Sequence, residues 1–326
     1  MQGGIFTISL DFELHWGVYD KKDRNFGVQY FINTRNTIPK MLELFGKYGI
    51  EVTWATVGML FCENEEEWEF YKPAHLPSYR NPHISAYQWI KENDLNPQFH
   101  FAPDLIRKIL ETPGQELGSH TYAHYYTLLR GQTPDQFKAD LRTAQKIAKD
   151  KFGVQLTSLV FPRNHVNQLY LSTCIETGFE QVRINPSSWY WQETQNEGLL
   201  KKIIRSTDCY LPVTSKKSYT AQDIYPWENK LWLMPASRLY KPYQKNFAIG
   251  NDLKVSRIFG EMETAAKNNE IYHLWWHPHN FGHAPEQAMK ELETILAHFR
   301  ILSEKYGMRS LNMNNTVRHL KSPIAH

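Results

Sequence analysis

The chain has 326 residues, enough for one large core or two modest ones, and its 41% hydrophobic and 22% charged content is ordinary globular usage. A formal net charge of +3, spread along the chain, speaks against a nucleic-acid binder. No run approaches the roughly 20 apolar residues of a membrane span, and the amino end lacks the basic and apolar regions of a signal peptide, so a cytoplasmic location is expected. Cys62, Cys174 and Cys209 lie too far apart in sequence to imply a disulfide framework or a Cys-x-x-Cys metal site. Aromatic content is high at 14%, which suits either a large core or a groove that stacks sugar rings.

Taken in order, the sequence alternates strands with helices. Residues 5–10 read as a buried strand that ends in Asp11-Phe12-Glu13. Residues 34–48 carry Ile38, Met41, Leu42 and Phe45 at helical spacing and stop at Gly49. A strand follows at 52–57, then a helix from Pro103 to Leu110. Glu116-Leu117-Gly118 is a short strand that delivers His120 and His124. Thr133-Pro134-Asp135 opens a helix to about Phe152, with a cap residue and then proline at the first helical position. A strand at 159–163, a helix at 170–177 and a strand at 181–184 continue the rhythm. The end of the chain reads as a helix at 255–267, a strand at 271–276 and a helix at 285–306. Repeated βα units of this kind predict a parallel sheet or barrel. Two stretches, about 61–102 and 186–250, are irregular and rich in Trp, Tyr and Pro; they are expected to be insertions that wall a site within one domain. The pair Lys201-Lys202 in the second reads as a solvated face.

The chemistry-bearing residues fall at the carboxyl ends of predicted strands, the edge where catalytic groups converge in α/β barrels. Asp11 and Glu13, two apart on extended chain, point to the same side. His120 and His124, four apart, can present both imidazoles to one divalent metal. His277 follows the strand 271–276. Two imidazoles and one carboxylate make a sound zinc set with positions left open for water and substrate.

In order and spacing these motifs resemble the polysaccharide deacetylase family, carbohydrate esterase family 4. The match runs through Ser9-Leu10-Asp11-Phe12-Glu13, His120-Thr121-Tyr122-Ala123-His124, Phe161-Pro162-Arg163-Asn164, Asn185-Pro186-Ser187-Ser188-Trp189 and Leu274-Trp275-Trp276-His277-Pro278. The second motif is specific, the first and fifth moderately so, the others loose. The resemblance implies an α/β fold, a distorted (β/α) barrel with two long insertions here, and removal of acetyl groups from sugars with a divalent metal, zinc by preference. Carried onto this sequence, it makes Asp11 the general base, with Glu13, His120 and His124 holding the metal. Arg163 would pair with Asp11, and His277 would be the general acid, with His279 its rival.

Several positions depart from the commonest family pattern. Phe12 stands where many members have a second aspartate, which moves the metal carboxylate to Glu13. Asn164-His165 follow Arg163 where an aromatic and a glycine are usual, and Ser188 stands where an aspartate often occurs. His15, Trp16, Asn164, His165, Trp276 and His279 are candidates to line the substrate site; Trp275 and Trp276 alternate faces of a strand, so one of the two belongs to the core. His273 reads as structural. An acetylated sugar or glycan intermediate is the expected partner. The residues leave open an amidohydrolase acting on a non-sugar amide or cyclic imide, and a catalytically silent carbohydrate-binding barrel.

Overall fold

The computed structural model describes residues 3–21, 26–191, 198–210, 217–241 and 243–321. In chain order the elements are β1 (Ile5–Phe12), α1 (Val28–Tyr48), β2 (Val52–Thr56), α2 (Glu65–Tyr71), α3 (Ala86–Glu92), α4 (Pro97–His100), α5 (Pro103–Glu111) and β3 (Gln115–Ser119). They continue with α6 (Pro134–Phe152), β4 (Ser158–Val160), α7 (Leu171–Glu176), β5 (Gln181–Ile184), α8 (Leu199–Asp208), β6 (Tyr225–Trp227), β7 (Leu231–Pro235) and β8 (Arg238–Leu239). The last are α9 (Ala248–Asn268), β9 (Ile271–Trp276), α10 (Pro285–Tyr306), β10 (Arg309–Ser310) and α11 (Met313–Lys321).

The strands pair in the order β6-β7-β5-β4-β3-β2-β1-β9-β8, with β10 beside the start of β1. Every ladder is parallel except β6 with β7. The ladder itself is open. Its gap is spanned by the chain, because β7 pairs with β5 while β8, reached through Ala236 and Ser237, pairs with β9. That bridge makes the sheet a distorted (β/α) barrel. It also corrects the second expected insertion: β7 and β8, inside 186–250, are barrel strands. Part of that stretch lies outside the described residues. Residues 61–102 form α2, α3 and α4, with Trp68, Tyr87 and Phe101 buried in the main core.

Strand alternation sorts the side chains into two layers. On β1, Phe6, Ile8, Leu10 and Phe12 pack under the helices with Ile38, Met41 and Phe45 of α1. Ile5, Thr7, Ser9 and Asp11 point the other way, into the barrel. Ile5 meets Met313 and Val317 of α11, which closes the amino-terminal end, and Thr7 lies 3.2 Å from Thr316. The same parity on β9 puts Tyr272, Leu274 and Trp276 in the helix-side core and aims His273 and Trp275 inward.

Local signals fix the helices. Thr133 and Gln136 form a reciprocal capping box on α6, and Gly153 ends it at φ 68°, a left-handed conformation that glycine adopts without strain. Helix α1 begins earlier than its periodicity suggests, at Val28, and its extra turn buries Tyr30 and Phe31. Helix α9 also begins early, at Ala248; Ile249 and Leu253 in its first turns are exposed, so no inward stripe marked them. Among the described residues no helix is long and apolar enough to cross a membrane.

Candidate metal centre and active site

At the carboxyl end of β1 the buried Asp11 carboxylate is gripped by a buried arginine. Arg183 of β5 donates from Nη1 to Oδ1 at 2.7 Å and from Nη2 to Oδ2 at 2.8 Å. The guanidinium also donates to Ser9 Oγ at 2.9 Å and Asn164 Oδ1 at 3.1 Å, and lies 4.4 Å from the Trp275 ring centre. Behind it, His273 Nδ1 sits 3.2 Å from the Pro235 carbonyl and its Nε2 2.8 Å from Ser9 Oγ. Only Nδ1 can carry the proton there, because a carbonyl accepts and does not donate. Nε2 then accepts from the Ser9 hydroxyl, whose oxygen faces Arg183. Burial pushes His273 down to about 3, in keeping with that neutral tautomer. Burial alone would raise the Asp11 carboxyl, but the charges of Arg183, His120 and His277 outweigh it and hold it below its ordinary value.

Glu13, two residues on, faces the histidine pair. His120 Nε2 and His124 Nε2 each lie 3.0 Å from Glu13 Oε1, all three groups buried. The pair does not sit on a helix. It lies in the loop after β3, with Thr121 at φ 64° and His124 at φ 54°, a left-handed backbone that costs non-glycine residues energy. The loop is held from below. Asp140, on the buried stripe of α6, accepts from the Tyr122 and Ala123 amides at 2.6 and 3.0 Å, although burial pushes its carboxyl up to about 7. Gly17 leaves room for the Glu13 carboxylate, since a Cβ there would stand 1.7 Å from Oε2.

The protonation pattern fits a cation. Tyr126 donates its hydroxyl proton to Asp20 at 3.3 Å, so at 3.0 Å it accepts from His124 Nδ1. That leaves the Nε2 lone pair aimed at Glu13. Burial holds His124 below the usual imidazole value, while Glu13, despite its own burial, is held well below the usual carboxylate value, with His277 the leading charge that lowers it. A neutral imidazole and an ionised carboxylate facing each other are the ligation states of a metal site. The donor set of two imidazole nitrogens and one carboxylate oxygen suits a divalent transition metal.

His277 follows β9, with Nε2 3.8 Å from both Asp11 Oδ2 and Glu13 Oε1. At 26% side-chain exposure it is open to solvent, whereas Asp11 and Glu13 are each at 3%. It stands edge-on to Trp275, and His279 Nδ1 approaches Glu13 Oε2 at 3.7 Å from the following turn.

Residues 24–182 match the family described as polysaccharide deacetylase. That segment, just under half of the chain, belongs to the family by sequence. Solved deacetylase-family folds superpose on nearly the whole protein. One, from Mycobacterium smegmatis and described as a polysaccharide deacetylase, has TM-score 0.63 at 13% identity over 98% of this chain and 91% of that one. Another so described, from Pseudomonas aeruginosa PAO1, gives 0.57 at 10% over 100% and 93%. The Puue allantoinase gives 0.59 at 10% over 100% and 92%. At these identities the likeness is one of fold. No curated protein sequence matches the chain.

Of the expected site residues, Asp11, Glu13, His120, His124 and His277 are brought together, with one exchange of partners nearby. Arg163 does not reach Asp11. Its guanidinium pairs with Asp20 and lies 4.3 Å from the Tyr126 ring centre, so it closes the network behind His124, and Arg183 takes the place at Asp11. Asn164 orients Arg183 through Oδ1. His165 is buried, with its Nδ1 unpartnered by protein and its imidazole pushed down to about 3. Trp276 is fully buried against Phe45, Tyr240 and Phe281, and Trp275 faces the site in its stead. Trp16 is likewise fully buried and donates to the His100 carbonyl at 2.9 Å. His15 packs among Trp89, Phe99 and His100, and burial pushes it down to about 4. These two tie the first insertion to the barrel and do not join the polar cluster. Arg183, Asp20, Tyr126 and Asp140 were missed, although Asp140 interrupts the otherwise largely apolar buried stripe of α6, which is a readable signal.

Proposed function

We propose that this protein is a metal-dependent hydrolase that removes the N-acetyl group from a sugar, with Zn2+ the resident cation and a cytoplasmic glycan intermediate the substrate. The observation that carries the reading is the separation of two carboxylates by environment. Glu13 faces two imidazole nitrogens, whereas Asp11 is gripped by Arg183 and left to act on a proton. A bound divalent cation supplies Lewis acidity, polarising the acetyl carbonyl and lowering the pKa of water. Asp11, kept ionised by Arg183, takes the proton of the attacking water. His277, the exposed imidazole, gives a proton to the departing sugar nitrogen. General acid–base groups of this kind contribute about 10²–10⁴-fold each. Trp275 backs both Arg183 and His277, and fixes their spacing.

The test is metal analysis of the purified protein coupled to acetate release from a panel of N-acetylated sugars, with Asp11→Asn and His120→Ala as controls. Stoichiometric zinc, acetate release, loss of turnover with metal retained in Asp11→Asn and loss of metal in His120→Ala are expected. Protein that binds no divalent metal even when supplied overturns the reading. Metal binding with hydrolysis of a cyclic imide and no acetate release moves the substrate to a non-sugar amide.

A further inference from the structure

Helix α8 is amphipathic the wrong way round for a soluble core. Its polar and charged side is the anchored one: Asp208 is buried and accepts from Tyr190 at 3.0 Å and Arg257 at 3.1 Å, and Arg205 lies 4.9 Å from the Trp191 ring centre. Leu199, Leu200 and, one turn on, Ile203 face out at 73, 64 and 52% exposure. An outward apolar stripe earns nothing from folding, since its side chains stay in water.

The stripe does not end with the helix. Lys241 reaches Ser206 at 2.6 Å, and Tyr210 packs edge-on to Phe247 at 5.3 Å, which joins α8 to the first turns of α9. There Phe247, Ile249 and Leu253 are also exposed, so two adjoining segments each present large apolar side chains to solvent. Lys202 and Lys245 are exposed and Lys241 half-buried around it, against Asp252 as the exposed acid of these segments. Apolar side chains fringed by lysines match a surface that is negatively charged with an apolar interior. The opposite, anchored side of α8 packs towards the barrel. Trp191, beneath Arg205, meets Trp275 at 6.0 Å, and Trp275 lies against the Asp11-bound guanidinium.

We propose that the α8–α9 face seats this protein peripherally on an anionic lipid surface. The apolar side chains enter the headgroup boundary and the lysines meet lipid phosphates.

Flotation of the full chain with vesicles of phosphatidylglycerol and phosphatidylcholine in equal parts, against phosphatidylcholine alone, tests the assignment. A membrane-surface cation contributes about fivefold, so the exposed Lys202 and Lys245 together give roughly 25-fold stronger partition to the anionic vesicles at low salt. Leu200→Asp with Ile203→Asp abolishes flotation, while Leu200→Met with Ile203→Met keeps it. Both positions are exposed, so circular dichroism and the melting curve stay unchanged. The proposal fails if the wild type does not float on anionic vesicles, or if the Asp pair floats equally well. It fails also if sedimentation reveals a dimer that the Asp pair dissociates without any vesicle binding, because the face then belongs to a second copy. Flotation involves no turnover, so its outcome is independent of the deacetylase reading.

Discussion

Replacing Arg183 with methionine isolates the step on which the base depends. The substitution keeps most of the apolar stem and removes two charge-assisted bonds of 2.7 and 2.8 Å from a carboxylate at 3% side-chain exposure. Breaking a buried pair by removing one partner costs about 3–5 kcal/mol. An independent bound comes from protonation. With an unperturbed value of 3.8, Asp11 can neutralise itself at pH 7 for about 4 kcal/mol, at 1.36 kcal/mol per pH unit. The two figures together put the loss near 3–4 kcal/mol, a fall in Tm of roughly 6–8 °C at ~2 °C per kcal/mol. The sign follows from the depressed value. In the wild type the Asp11 contribution is fully present above 3.8 and is lost as pH falls through the lower folded value. Without Arg183 only burial remains as the dominant influence, so the carboxyl rises and takes up a proton at higher pH. The acid limb of kcat/KM for acetate release therefore moves to higher pH. Arg163→Met, which frees Asp20 and Tyr126, leaves that limb in place and weakens metal binding instead. A limb that moves for Arg163→Met and stays for Arg183→Met refutes the exchange of arginines.

Three further outcomes follow from the geometry. Asp140→Asn leaves one of the Tyr122 and Ala123 amides facing an amide donor, so the loop loosens and metal affinity, measured by competition with a chelating dye, drops about 10–100-fold; unchanged affinity removes Asp140 from the support of the site. Gly17→Ala places a Cβ where Glu13 Oε2 lies, and calorimetric titration with zinc should register weakening of a similar 10–100-fold order. Trp276→Ala costs about 3–5 kcal/mol in a chemical melt, because it empties a fully buried core position. Trp275→Phe instead lowers kcat with a smaller change in stability, and equal behaviour of the two tryptophans contradicts their assignment to opposite layers.

The ordering of elements was readable because each strand of the barrel is short, apolar and followed by turn chemistry. Asp11, Glu13, His120, His124 and His277 were readable because motif spacing survives folding. What escaped depends on pairing across distance. Arg183 and Asp11 are 172 residues apart, and no local pattern says that a guanidinium from β5 replaces the one expected after β4. Parity alone could have sorted the tryptophans: Trp276 shares its face with Leu274, and Trp275 shares its face with His273. The backbone of the histidine pair was hidden for a different reason. Thr121 and His124 adopt a left-handed backbone that only the surrounding contacts, Asp140 foremost, can hold in place. The early start of α9 was hidden because its first apolar residues point outward, the same feature that makes the α8–α9 face unusual.

The central claim is that Glu13, His120 and His124 hold one divalent cation beside an arginine-clamped Asp11. Crystals grown with zinc and measured on both sides of its absorption edge test it most directly. One strong anomalous peak between His120 Nε2, His124 Nε2 and the Glu13 carboxylate, with Asp11 still on Arg183, is the result expected. A zinc peak elsewhere, or a site in which Glu13 keeps its contacts to both imidazoles with no metal bound at saturating zinc, contradicts it.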